Sequence, residues 1–83
     1  MQRVLLKSST LASALYHPHW RQLELEFRNG KRYLYFQVPP HCYAALLQAQ
    51  SKGSYFNRTI RNRFAFRDLS AASAPIVLAS SEN

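Results

Sequence analysis

One cysteine, two glycines and only four acidic residues stand in a chain of 83 residues, and each scarcity closes off a class of protein. A lone Cys42 cannot form an intrachain disulfide, so stability has to come from packing or self-association, and the reducing cytoplasm is the expected compartment. Two glycines leave no room for a glycine-rich phosphate loop. Apolar runs such as 4–6 and 76–79 fall far short of the roughly 20 residues a bilayer-spanning helix requires, so no membrane partner is expected. Lys7 and Ser8-Ser9-Thr10 follow the first of those runs too closely for a secretory signal, and the chain reads as unprocessed and soluble.

The shortage of carboxylates leaves 11 lysines and arginines largely unopposed, a formal charge of +7 that favours polyanionic partners. With 47% hydrophobic residues the chain can form one domain with one modest core, since so short a polypeptide buries only about 60% of its unfolded surface.

Residues 22–37 organise that domain. In LELEF, Leu23, Leu25 and Phe27 alternate with Glu24 and Glu26, which marks a strand with one core face and one wet face. Asn29-Gly30 then tolerates the positive φ angles of a tight turn, and Arg32 to Phe36 continues as the second arm of a hairpin. Two registers are open. A two-residue turn pairs Arg28 with Lys31 and sends Tyr33 and Tyr35 to the glutamate face. A three-residue turn with Gly30 as the bulge residue places both tyrosines with the leucines and sets Glu26 opposite Arg32. The second is favoured because it separates two like charges and offers Glu26 a cation.

Residues 11–16 read as a preceding strand ended by His17-Pro18-His19, and 64–67 as a short fourth strand. Pro39-Pro40 stops the hairpin and opens a first helix over about 40–50, whose Tyr43, Leu46 and Leu47 should cover the sheet. Gly53 reads as the stop beyond it. A second helix is expected over about 54–62, with Ser54 as N-cap and Phe56, Ile60 and Phe64 inward. The expected fold is thus α+β: a small antiparallel sheet of three or four strands covered by two short helices. The domain spans 8–69, and the small-residue tail 70–83 is expected to be poorly ordered.

Chemistry concentrates in the second helix. Lys52, Arg58, Arg61, Arg63 and Arg67 occur without an acidic residue among them, and 3.6-residue periodicity puts Ser54, Asn57, Arg58 and Arg61 on one face. Guanidinium, ammonium and amide groups donate to phosphate oxygens, and the Gly53-Ser54 helix start adds free backbone N–H groups. Lys52, Ser54, Asn57, Arg58 and Arg61, with Tyr55 as a stacking surface, therefore form a candidate nucleic-acid contact. His17, His19, His41 and Cys42 are metal-ligand types, but two sit on a turn and two are adjacent on a helix about 100° apart, so no metal or other cofactor is expected. That divergence also disfavours a Cys42/His41 nucleophile and base, and Glu24 and Glu26 on a wet strand lack the cleft that acid–base work needs. The chain is read as not an enzyme.

The succession LELEF, Gly30, Tyr33-Leu34-Tyr35, Val38-Pro39, Tyr43 and Leu46, Ser51-Lys52-Gly53, Tyr55-Phe56-Asn57 and Ile60-Arg61 resembles the KTSC domain over roughly residues 8 to 67. That family occurs at the C-terminus of some lysyl-tRNA synthetases and as stand-alone small bacterial proteins. The resemblance implies an α+β domain with a Tyr-x-Tyr motif, here Tyr33 and Tyr35, and recurring positions at Pro39, Gly53, Phe56, Asn57 and Arg61. Its link to synthetases suggests RNA contact. The leading expectation is a small basic accessory module gripping RNA or another nucleic acid by its phosphate backbone. The alternative is a protein-interaction module, monomeric or weakly dimeric, using edge strands and Trp20.

Overall fold

The computed structural model describes residues 2–70 and 75–78. They form one antiparallel sheet of six strands in sequence order: β1 (Val4–Leu5), β2 (Leu11–His17), β3 (Gln22–Phe27), β4 (Arg32–Tyr35), β5 (Phe66–Asp68) and β6 (Ile76–Val77). Between β4 and β5 run α1 (Pro40–Gln48), α2 (Lys52–Tyr55) and a π-helical turn over Phe56–Ile60. The class is α+β, but the sheet has more strands than the three or four expected. β1 and β6 are two-residue strands, too short to carry an alternation signal, and exist only because longer neighbours offer them a free edge. Of the tail expected to lack order, residues 71–74 and 79–83 lie outside the described residues, while Ile76 and Val77 pair with Arg67 and Phe66.

The hairpin takes the bulged register. Gly30 sits at φ +91°, Phe27 N–H donates to the Lys31 carbonyl at 2.8 Å, and Cα pairing runs Glu26 to Arg32, Leu25 to Tyr33 and Leu23 to Tyr35. The inner face therefore carries Leu23, Leu25, Phe27, Tyr33 and Tyr35, and Glu24 and Glu26 lie on the other. Arg32 reaches Glu24 at 3.8 Å, not the Glu26 opposite it; Arg3 binds the same carboxylate at 2.8 Å, and Glu26 accepts from Ser13. A second irregularity, at Ala12 in β2, keeps Leu11 inward with Phe27 while turning Ser13 toward Glu26.

Helix α1 begins with Pro39 as an extended N-cap and Pro40 at the first helical position, where a missing N–H costs nothing. It buries Cys42 and Leu46, flanked by half-buried Tyr43 and Leu47, so the cysteine is a core residue that the expected stripe omitted. Tyr43 stacks on Tyr16 with ring centroids 4.8 Å apart, and the Tyr16 hydroxyl donates to the Val38 carbonyl at 2.6 Å.

The second helical segment starts two residues earlier than expected. Ser51, not Ser54, is the N-cap, accepting from Ser54 N–H, and the helical run ends at Ile60 rather than near 62. Gly53 is not a left-handed stop after α1; it lies inside α2, where a Cβ would come within 2.8 Å of Thr10 Oγ1 and 3.2 Å of Thr10 Cβ. Close passage of the loop before β2 is what demands glycine there. That loop is itself fixed by Arg28, whose guanidinium donates to the Leu6 and Ser8 carbonyls at 2.8 and 2.9 Å. Among the described residues no helix is long and apolar enough to cross a membrane.

Gly53→Ala should therefore destabilise the domain. Overpacking against Thr10 costs about 1–3 kcal/mol, against roughly 1 kcal/mol gained in helix propensity. Thermal melts should show the loss, and Thr10→Ala in the same chain should recover part of it; a Gly53→Ala protein as stable as the parent would disprove the contact.

Candidate nucleic-acid interface

The π-helical turn decides where the expected contact residues point. Arg61 N–H donates to the Phe56 carbonyl at 2.9 Å, five residues back, so the turn is wider than an α-helical one. Phe56 and Ile60 remain buried, as their spacing required, but Phe64 lies beyond the helix and is only half-buried. Asn57, Arg58, Arg61, Asn62 and Arg63 are all exposed.

These side chains do not share one face. Lys52, Ser54 and Asn57 line a hydroxyl-rich hollow of about 490 Å³ together with Lys7 and the loop 8–10. Asn57 and Arg61 line a second, of about 480 Å³, against the inner face of β3, β4 and β5. Tyr55 and Arg58 line a third, against the C-terminal part of α1. The expected single patch is thus divided among three hollows. Asn57 joins the first two hollows.

The second hollow contains residues that the basic-patch argument passed over. Phe27, Tyr33, Tyr35, Phe56 and Phe66 form its aromatic walls. Tyr33 meets Phe27 and Phe66 edge-on at 5.5 and 5.3 Å, and Tyr35 meets Phe56 at 5.8 Å. Tyr35 is a core residue at 2% exposure, whereas Tyr33 is half-buried on the same face. Of the two tyrosines that the bulged register places with the leucines, only Tyr35 is fully buried. The bulged register was the signal that put both rings beside Phe27. What alternation could not reveal is that the helical layer leaves part of that face uncovered. Five positions that the family resemblance marks as recurring, Tyr33, Tyr35, Phe56, Asn57 and Arg61, meet here.

Of the three described carboxylates, Glu24 and Glu26 lie on the outer face of the sheet and Asp68, in register with Tyr33, on the inner one. Both ion pairs among the described residues end on Glu24, on the face away from the helices. Arg58, Arg61 and Arg63 make no salt bridge among the described residues; Arg61 donates a long 3.5 Å hydrogen bond to Asn57. Lys52 is more engaged than expected, its Nζ donating to the Ala49 carbonyl at 3.0 Å at the end of α1. The first-turn N–H of Ser54 is likewise taken up by Ser51, so it is not free for an anion. Burial raises the Tyr16, Tyr35, Tyr43 and Tyr55 phenols above their ordinary value, and the nearby Arg61 partly opposes the shift at Tyr35. Of the metal-ligand types, Cys42 is buried and His41 exposed, and no three of His, Cys, Asp and Glu converge among the described residues.

Comparison with known proteins places this arrangement. The KTSC domain family model matches residues 7–64. An uncharacterised protein of Stutzerimonas stutzeri is 46% identical over 61 residues, covering 74% of this chain and 86% of that protein. A lysine–tRNA ligase of Nostoc punctiforme is 38% identical over 64 residues, which is 77% of this chain but only 11% of the ligase. Among solved structures, a KTSC domain protein of Yersinia pestis superimposes with a TM-score of 0.78 at 36% identity, covering 82% of this chain and 96% of that one.

The raised phenols make stability depend on alkaline pH. In the unfolded chain they ionise near the ordinary value of 10.0, while the folded protein holds their protons more tightly. Their contribution is therefore fully present below that pH and is lost as pH rises above it. Denaturant titrations across this range should show a falling midpoint, and Tyr35→Phe, which removes the largest shift, should flatten the fall. A midpoint independent of pH above 10 would contradict the burial argument.

Proposed function

The chain belongs to the KTSC domain family, and from that membership and its charge distribution we propose that it is a small basic accessory module binding single-stranded RNA through the phosphate backbone. One observation carries the reading: exposed Arg58, Arg61 and Arg63 surround the π-helical turn with no carboxylate in salt-bridge reach among the described residues. Glu24 and Glu26 are held on the opposite face of the sheet, and the one described carboxylate on the inner face, Asp68 in register with Tyr33, makes no salt bridge to these arginines. Likeness to part of lysine–tRNA ligases, enzymes named for an RNA substrate, supports RNA over DNA. We read the module as a binder and not a catalyst, because the groups best suited to chemistry are occupied: Cys42 is buried, Glu24 binds two arginines and Glu26 accepts from Ser13. A cytoplasmic setting goes with this reading.

Exposure of Trp20, at 66% on the turn between β2 and β3, favours a second reading as a protein-interaction module or weak homodimer. The His19 ring meets it edge-on at 4.7 Å, and nothing of the core covers it, contrary to the lid role its size would suggest.

Titration with a short single-stranded RNA should give log K falling with log salt by about 0.7 per phosphate neutralised. The double substitution Arg58→Ala/Arg61→Ala should make the slope shallower, and absence of binding at low salt would end the proposal. Sedimentation at rising concentration distinguishes the second reading, which expects Trp20-dependent self-association or partner capture; a strict monomer whose partners ignore Trp20→Ala leaves it without support.

A further inference from the structure

Thr10 and Asn57 line both the aromatic hollow and the hydroxyl-rich one, so the two meet along a shared ridge. On one side of that ridge lie half-buried aromatic rings; on the other lie Lys7, Lys52 and the hydroxyls of Ser8 and Ser9. Flat apolar surface next to cations and hydroxyls matches the two halves of a nucleotide, a base that stacks and a phosphate that accepts hydrogen bonds. Building on the RNA reading above, we propose that the aromatic hollow receives one unstacked nucleobase and the adjoining hollow the phosphate attached to it, with Asn57 at the junction.

Several features equip the aromatic hollow for this occupant. Its volume, about 480 Å³, lies within the range of small-molecule sites. Tyr33 is braced edge-on by Phe27, Phe66 and Tyr35, so its ring is already ordered and loses little freedom when a base stacks on it. The Tyr35 ring is buried, yet its hydroxyl has no hydrogen-bond partner among the described residues. Tyr35 is 2% exposed and lines the hollow. Arg61 is near enough to oppose the rise of its phenol, and Asn57, whose NH₂ is not consumed by the single contact its oxygen accepts, lines the same hollow. A phenol, an amide and a guanidinium lining an aromatic hollow can read the edge of an unstacked base. Among the described residues no carboxylate lines either hollow, the nearest in register being Asp68 opposite Tyr33 on β5.

The test compares a short single-stranded RNA with an abasic phosphodiester of the same length, following amide shifts in the labelled protein. The base-bearing strand should bind roughly 10-fold more tightly, as expected for stacking of a single base. Shifts should centre on Thr10, Tyr33, Asn57 and Arg61. Tyr33→Leu should abolish the preference and Tyr33→Phe keep it; Asn57→Ala, at an exposed position that does not threaten folding, should reduce it. Equal, salt-sensitive binding of both strands would overturn the base site while leaving backbone binding intact. No binding of either would overturn both. Shifts in the hollow produced by an acidic, tyrosine-bearing peptide and not by RNA would also overturn the proposal, reassigning the site to a protein partner.

Discussion

Gly30 holds φ +91° in a turn where its own N–H donates to the Phe27 carbonyl and Phe27 N–H donates to the Lys31 carbonyl. That one-residue offset sets the face of every side chain in β4. With it, Tyr33 and Tyr35 join Leu23, Leu25 and Phe27; slipped by one, both tyrosines would stand beside Glu24 and Glu26 and the core would receive Arg32 and Leu34 instead. β5 then aligns on β4 in the same sense, bringing Phe66 against Tyr35. The aromatic walls of the hollow and the buried body of the domain thus depend on the same turn.

Register also sorts charge. Glu24 and Glu26 are drawn to the far face, where Arg3, Arg32 and the Ser13 hydroxyl satisfy them. Cations elsewhere have different employment: Arg28 ties the loop before β2 to the hairpin turn, and Lys52 closes the end of α1. Of the exposed cations without a carboxylate in reach among the described residues, Arg58, Arg61 and Arg63 fall within six positions, in and just after the π-helical turn. A net charge of +7 is therefore less informative than its distribution, since a uniform scatter would give solubility without a directed field.

The helical segment shows how a local irregularity places a site. An α-helix continued through 54–62 would have kept Phe64 inward and spread the polar residues along one stripe. Opening by one residue at Phe56–Ile60 ends the helix early and leaves Asn57 between two hollows, with Arg61 on the aromatic one. Gly53, which reads from sequence as a helix stop, is there because Thr10 passes against it. That contact joins the helical segment to the loop before β2, partners more than 40 positions apart in the chain.

The amino-acid order alone specified the hairpin and favoured, without deciding, its bulged register, because alternation, like-charge avoidance and the freedom of Gly30 are all local. It specified the first helix as well, through Pro39-Pro40 and the spacing of Leu46 from its neighbours. Beyond its reach were the two-residue edge strands, which owe their existence to neighbours already paired, and the π-helical widening, which answers to packing against the sheet. The recess beside Tyr33 belongs with them: periodicity tells which way a ring faces, but only the assembled layers determine whether anything covers it.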